Sequence, residues 1–158
     1  MLALGLLVAL VAGACGNRDG GRGPPAGVVQ VGRVVDGDTI QVRYLGRDER
    51  VRLIGVDTPE VSWYGGRGDC FGERAGLYTR ARLSGRTVRL VFDVDRRDRY
   101  GRLLAYVYLG SELFNLTLVQ RGYAEVETVP PDTRLARVFE AAAGRARSAG
   151  FGLWSACS

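Results

Sequence analysis

The sequence predicts a small α+β protein built on a five-stranded β-barrel with about three helices packed against it. Three observations carry this. Runs rich in β-branched residues alternate with short turn signals through the first half of the chain. Helical spacing of apolar residues enters only later, and between strands. After an apolar leader is set aside, roughly 130 to 140 residues remain, the size of one domain with one core.

The elements follow in order. Residues 1–15 form an apolar leader, too short to span a bilayer by itself, with Ala12-Gly13-Ala14 placing small residues before Cys15. Two processing routes fit: an ordinary signal-peptidase site, or a loose lipobox that lipidates Cys15. Residues 16–27, rich in Gly, Pro and Arg, read as a tether that cannot bury a core. The domain then runs over 28–158. Val28 to Val35 and Thr39 to Leu45 read as strands joined by the turn Asp36-Gly37-Asp38, and Gly46 to Glu49 reads as a second turn. Arg50 to Val56 makes a third strand, stopped by Asp57-Thr58-Pro59-Glu60 because proline cannot continue a ladder. Glu73 to Leu83 sets Leu77, Tyr78 and Ala81 at helical spacing. Thr87 to Phe92 and Leu103 to Leu109 are strands flanking a polar loop, and Leu113 to Arg121 is a short helix ended by Gly122. A last helix spans Thr133 to Ala149, with Asp132 as its cap and Leu135, Val138, Phe139 and Ala142 as its apolar face. Five strands with late helices suit an OB-like barrel better than a sandwich or a doubly wound sheet.

Composition narrows the chemistry. The chain has 22 basic and 17 acidic residues, a net charge of +5, and no histidine. Every basic residue is arginine. Imidazole is thereby excluded as base, acid or metal ligand, leaving carboxylates, arginine, tyrosine or a bound ion. Guanidinium groups offer a planar fork of donors suited to phosphate. Of the three cysteines, lipidation of Cys15 would leave Cys70 and Cys157 as an even pair for one disulfide in an oxidising compartment.

Asp38 lies beside a tight turn, and Asp57 and Glu60 sit just past the third strand. Taken singly each is ordinary turn chemistry; brought together they would repel unless a hard, oxygen-seeking cation such as calcium or magnesium offset them. Arg52 interrupts an apolar run and Arg102 opens the fifth strand. Strict alternation puts Arg52 and Asp57 on opposite faces, so a shared site needs a bend near Gly55 or at the strand end.

Three blocks, Val34-Val35-Asp36-Gly37-Asp38-Thr39, Val51 through Glu60, and Asp98-Arg99-Tyr100-Gly101-Arg102 through Tyr106, together resemble the staphylococcal nuclease (thermonuclease) family, in family order. The resemblance implies an OB-fold and a calcium-dependent nuclease acting on DNA, RNA or both, leaving 3′-phosphates. It implies that Asp38, Asp57 and the Thr58 carbonyl bind calcium. It gives Glu60 the role of general base or water-orienting group, sets Arg52 and Arg102 on the scissile phosphate, and places Tyr100 near a second phosphate. With the leader it implies an exported protein, secreted or held in the cell envelope, monomeric, and touching membrane only through a lipid on Cys15. One departure is the stretch Thr128-Val129-Pro130, where the type member carries tyrosines; base contacts are expected to differ. The rival reading is an OB-type module that binds nucleic acid, or serves the envelope, without cutting.

Overall fold

The computed structural model describes residues 27–62 and 67–157. The leader, Cys15 and all of the tether except Gly27 lie outside the described residues.

Strands β1 (Val28–Val34), β2 (Thr39–Tyr44) and β3 (Arg47–Leu53) form the expected meander. They are followed by a three-residue strand β4 (Gly55–Asp57) and helix α1 (Gly72–Leu83). Next come β5 (Thr87–Val91), β6 (Leu103–Leu109), the short β7 (Glu112–Leu113) and helix α2 (Phe114–Gln120). Strand β8 (Glu125–Glu127), helix α3 (Ala136–Ser148) and a single turn α4 (Leu153–Ala156) complete the chain. The sheet order is β3-β2-β1-β5-β6-β7, and β3 also pairs in parallel with β6, Val51 opposite Leu103 and Leu53 opposite Ala105. That pairing closes five strands into a barrel and removes their free edges.

Alternation fills the barrel. Val29, Val31, Val34, Ile40, Val42, Val51, Leu53, Val88, Leu90, Leu103, Ala105 and Val107 are buried inward, and α1 and α2 cap them with Leu83, Phe114 and Leu118. Each of the Val, Ile, Leu and Phe side chains among them contributes about 1.5–3 kcal/mol through removal from water. The register between β1 and β2 shifts between Val31 and Arg33, a bulge at Gly32 that helps the sheet curl.

Several details correct the sequence reading. The second turn is not Gly46 to Glu49 but the pair Leu45-Gly46, with φ of 49° and 77°, and pairing resumes at once with Tyr44 opposite Arg47. Two positive φ values match the twist of a hairpin; leucine in that role gives no turn signal. In α1 the buried face is Ala75, Gly76, Thr79 and Leu83, while Leu77 is 45% exposed and Ala81 faces solvent. Thr79 is buried because its hydroxyl donates to the Gly37 carbonyl at 2.7 Å, and a search for apolar spacing passes over such a residue. Helix α3 buries Phe139, Ala142, Ala143 and Ala146 and leaves Val138 46% exposed. Asp132 does not cap it. Its Oδ1 accepts the Val94 and Asp95 N–H groups at 2.9 and 2.8 Å, clamping the β5–β6 loop to the lead-in of α3.

The β4–β8 ribbon was not foreseen. The third strand breaks at Ile54, Gly55 turns with φ of 81°, and β4 leaves the barrel to pair with β8. Asn115, fully buried on α2, braces the break: its Nδ2 donates to the Ile54 carbonyl at 2.9 Å and its Oδ1 accepts the Val107 N–H at 2.8 Å.

Candidate active site

The site begins at the β1–β2 turn. Asp36 Oδ1 accepts the Asp38 N–H at 3.1 Å, an Asx turn that aims Asp38 inward. A side chain on Gly37 would collide with Thr58, so only glycine lets the turn approach the end of β4. Thr58 closes the approach. Its N–H and hydroxyl donate to Asp38 Oδ2 at 2.8 and 3.0 Å, and both residues are buried.

Arg52 stands opposite Thr39 across the β2–β3 ladder and turns its guanidinium into this corner. It pairs with Asp38 at 3.0 Å, Asp57 at 2.7 Å and Glu127 at 3.0 Å, and donates to the Val56 carbonyl. The bend at Gly55 is what makes the Asp57 contact possible, since Arg52 and Asp57 would otherwise point apart. Burial pushes the Asp38 carboxyl above its ordinary range; Arg52 pulls it down and Asp36 pushes it up again. Asp57, more open to solvent, is likewise raised, first by desolvation and then by Asp38, against the pull of Arg52. The one guanidinium is shared by these two carboxylates and Glu127, and it does not fully offset the confinement of Asp38 and Asp57.

Arg102 comes from the other side. Asp98 Oδ1 accepts the Tyr100 and Arg102 N–H groups, both at 2.9 Å, while its Oδ2 pairs with Arg102 Nε at 2.6 Å. The turn thus fixes both the backbone and the guanidinium of Arg102. Burial raises the Asp98 carboxyl, yet the hydrogen bonds from Arg102 and Tyr100 outweigh it and hold the group below its ordinary value. Tyr100 is 67% exposed, its ring under the guanidinium groups of Arg99 and Arg102 at 4.8 and 5.5 Å. Arg52, Tyr100, Arg102 and Glu127 share the wall of one open cavity of about 430 Å³, with Val129 and Pro130 along its rim.

Glu60 is exposed beyond β4 and stands outside the ion pairs of Arg52. Its backbone is held: Asp69 donates its N–H to the Glu60 carbonyl at 3.0 Å and accepts the Glu60 N–H at 3.1 Å. Gly72 lies so close to that carbonyl that a Cβ would not fit. Next to Asp69, Cys70 is joined to Cys157 by a disulfide, with Cα atoms 5.7 Å apart. Among the described residues, no group of three or more acidic or thiol side chains is gathered as a metal cage.

Four residues of the arrangement escaped the sequence reading: Asp69, Asn115, Glu127 and the true role of Asp132. None of the four carried a local signal, and the alternation of Glu125-Val126-Glu127 is too short to mark a strand.

The family model for the staphylococcal nuclease homologues matches residues 50–156, a span that includes Arg52, Asp57, Thr58, Glu60, Tyr100, Arg102 and Glu127 but not the turn with Asp38. The chain is 42% identical over 124 residues to a thermonuclease of Staphylococcus intermedius, covering 78% of this chain and 74% of that one. The chain belongs to the staphylococcal nuclease family. A thermonuclease of Staphylococcus hyicus is 39% identical over 123 residues, covering 78% of this chain and 73% of its own length. The endonuclease YncB of Bacillus subtilis is 38% identical over 129 residues, covering 80% and 61%. Within this family the OB-type barrel and its late helices are the expected frame, and the cavity beside Arg52 and Arg102 opens on one side of it.

Proposed function

We propose that this protein is an exported, calcium-dependent nuclease that hydrolyses phosphodiester bonds of DNA or RNA endonucleolytically, leaving 3′-phosphates. The observation that carries the reading is the cavity whose wall holds Arg52 and Arg102, with the Asp38–Asp57 corner directly behind Arg52. Its relatives bear the names thermonuclease and endonuclease.

The donor set fits a hard divalent cation. Asp38, Asp57 and the Thr58 carbonyl supply oxygen only, and histidine is absent from the chain. Two carboxylates confined with a single guanidinium, both held above their ordinary pKa range, favour additional positive charge. A calcium ion held by Asp38, Asp57 and the Thr58 carbonyl would supply that charge and would polarise a nonbridging phosphate oxygen. Arg52 and Arg102, the latter braced by Asp98, line the cavity and neutralise the charge that develops on the nonbridging oxygens. Glu60 orients the attacking water and takes its proton as oxygen adds to phosphorus and the P–O5′ bond breaks. Tyr100 positions the adjoining phosphate. Val129 and Pro130 give the rim an apolar but non-aromatic edge, so bases are held without the stacking that tyrosines provide.

Residues 28–158 form the catalytic domain in this reading, monomeric in action. Residues 1–15 direct export and 16–27 tether the domain, with Cys15 carrying lipid if the chain is retained on the envelope. The test is hydrolysis of single-stranded DNA with calcium, with magnesium and with chelator, beside Glu60→Ala, Arg52→Ala and Arg102→Ala. Calcium-dependent cutting that falls about 10²- to 10³-fold in each variant is expected. No cutting by folded, calcium-supplied wild type would overturn the reading in favour of a binding module.

A further inference from the structure

Both terminal nitrogens of Arg52 are fully committed. Each carries two hydrogens. Nη1 meets the Val56 carbonyl and Asp38 Oδ1, and Nη2 meets Asp57 Oδ1 at 2.7 Å and Glu127 Oε2 at 3.0 Å. Asp38 and Asp57 belong to the proposed cation corner. Glu127 belongs to neither that corner nor the barrel. It reaches Arg52 from β8, placed there by its register opposite Gly55, and it stands in the wall of the open cavity with its side chain about half exposed.

The position of the Glu127 carboxylate matters because it occupies Nη2 in the wall of the same cavity that an anion would enter. A carboxylate and a phosphate cannot share those hydrogens, and at close range the two anions repel. We infer that Glu127 is an internal competitor for Arg52, a residue that sets substrate affinity by holding the phosphate-binding guanidinium until a phosphate group displaces it. The inference rests on the proposed function for the identity of that phosphate as part of a nucleic acid. Glu127 therefore acts in the ground state: displacing it weakens binding, while the reacting atoms are untouched.

The experiment compares the full chain with Glu127→Gln and with Glu140→Gln, an equal charge change at an exposed position of α3. Three readouts are taken: anisotropy of a labelled single-stranded DNA in chelator, kcat and KM for cutting in calcium, and the rise in unfolding midpoint caused by inorganic phosphate. Glu127→Gln is expected to tighten DNA binding and lower KM by about three- to tenfold, the range of a half-exposed charge pair, with kcat changed less than about twofold. Inorganic phosphate is expected to stabilise Glu127→Gln more than wild type. Glu140→Gln should move each readout far less. If wild type cuts but Glu127→Gln behaves as Glu140→Gln does, or binds DNA more weakly than wild type, the competitor role is refuted and the nuclease reading survives. If no form cuts yet phosphate stabilises Glu127→Gln preferentially, the competitor role stands and the nuclease reading falls.

Discussion

Replacing Gly55 by alanine probes the bend on which the site depends. Gly55 has φ of 81°, a left-handed conformation that costs an L-residue about 1–2 kcal/mol. The new methyl would also enter the ring of Phe139, meeting its Cε2 and Cδ2 atoms. That ring is 1% exposed and packed with Ile54 and Tyr106, so it has little room to retreat, and overpacking of this kind costs about 1–3 kcal/mol. The sum is roughly 2–5 kcal/mol, against about 5–15 kcal/mol for a whole domain, so the variant should remain folded near room temperature. In equilibrium urea unfolding the midpoint should fall by about 1–2 M at unchanged slope. A second arm isolates the clash: in a Phe139→Leu background the same Gly55→Ala change should cost less, because the shorter side chain leaves space for the methyl. DNA cutting should decline in Gly55→Ala even where it is fully folded, since Arg52 and Asp57 meet only through this bend. A loss below about 0.5 kcal/mol in both backgrounds would refute the geometric argument.

Asn115→Ala removes three hydrogen bonds and strands the buried Val107 N–H, so urea unfolding should register a loss of about 2–4 kcal/mol. Cys70→Ser with Cys157→Ser opens a link spanning 87 residues, and the unfolding free energy should drop by about 2–5 kcal/mol under oxidising conditions, with no difference from wild type once reductant is present. Asp98→Asn should matter in a pH-dependent way. The Asp98 carboxyl is held below its ordinary 3.8, so its contribution is complete above that value and is lost as pH falls through the lower folded value. The stability gap between wild type and Asp98→Asn should accordingly be widest near neutrality and narrow in acid; a gap that widens on acidification would contradict the assignment. Arg52→Met in chelator leaves Asp38 buried beside Asp36 without its cation, and thermal unfolding should show a destabilisation that calcium partly reverses.

Much of the barrel was legible because the runs over β1, β2, β5 and β6 are rich in β-branched and other apolar residues and are bounded by turn signals. The three blocks that resemble the family name Asp38, Arg52, Asp57, Glu60, Tyr100 and Arg102 as the candidates for chemistry. Composition added a firm exclusion, since a chain without histidine cannot use imidazole chemistry. Other features were decided only in three dimensions. Thr79 and Asn115 are buried by the hydrogen bonds they make to distant backbone, which no apolar pattern marks. Asp132 looked like a helix cap because caps are local, yet its partners lie 37 and 38 residues away. Glu127 reaches Arg52 across 75 positions through a ribbon of three-residue strands, too short to show periodicity. Local spacing thus determined which residues lie in strands and which groups could do chemistry; the folded chain alone decided who meets whom at Arg52, because ion pairs across a barrel depend on register and on one glycine bend rather than on neighbours in sequence.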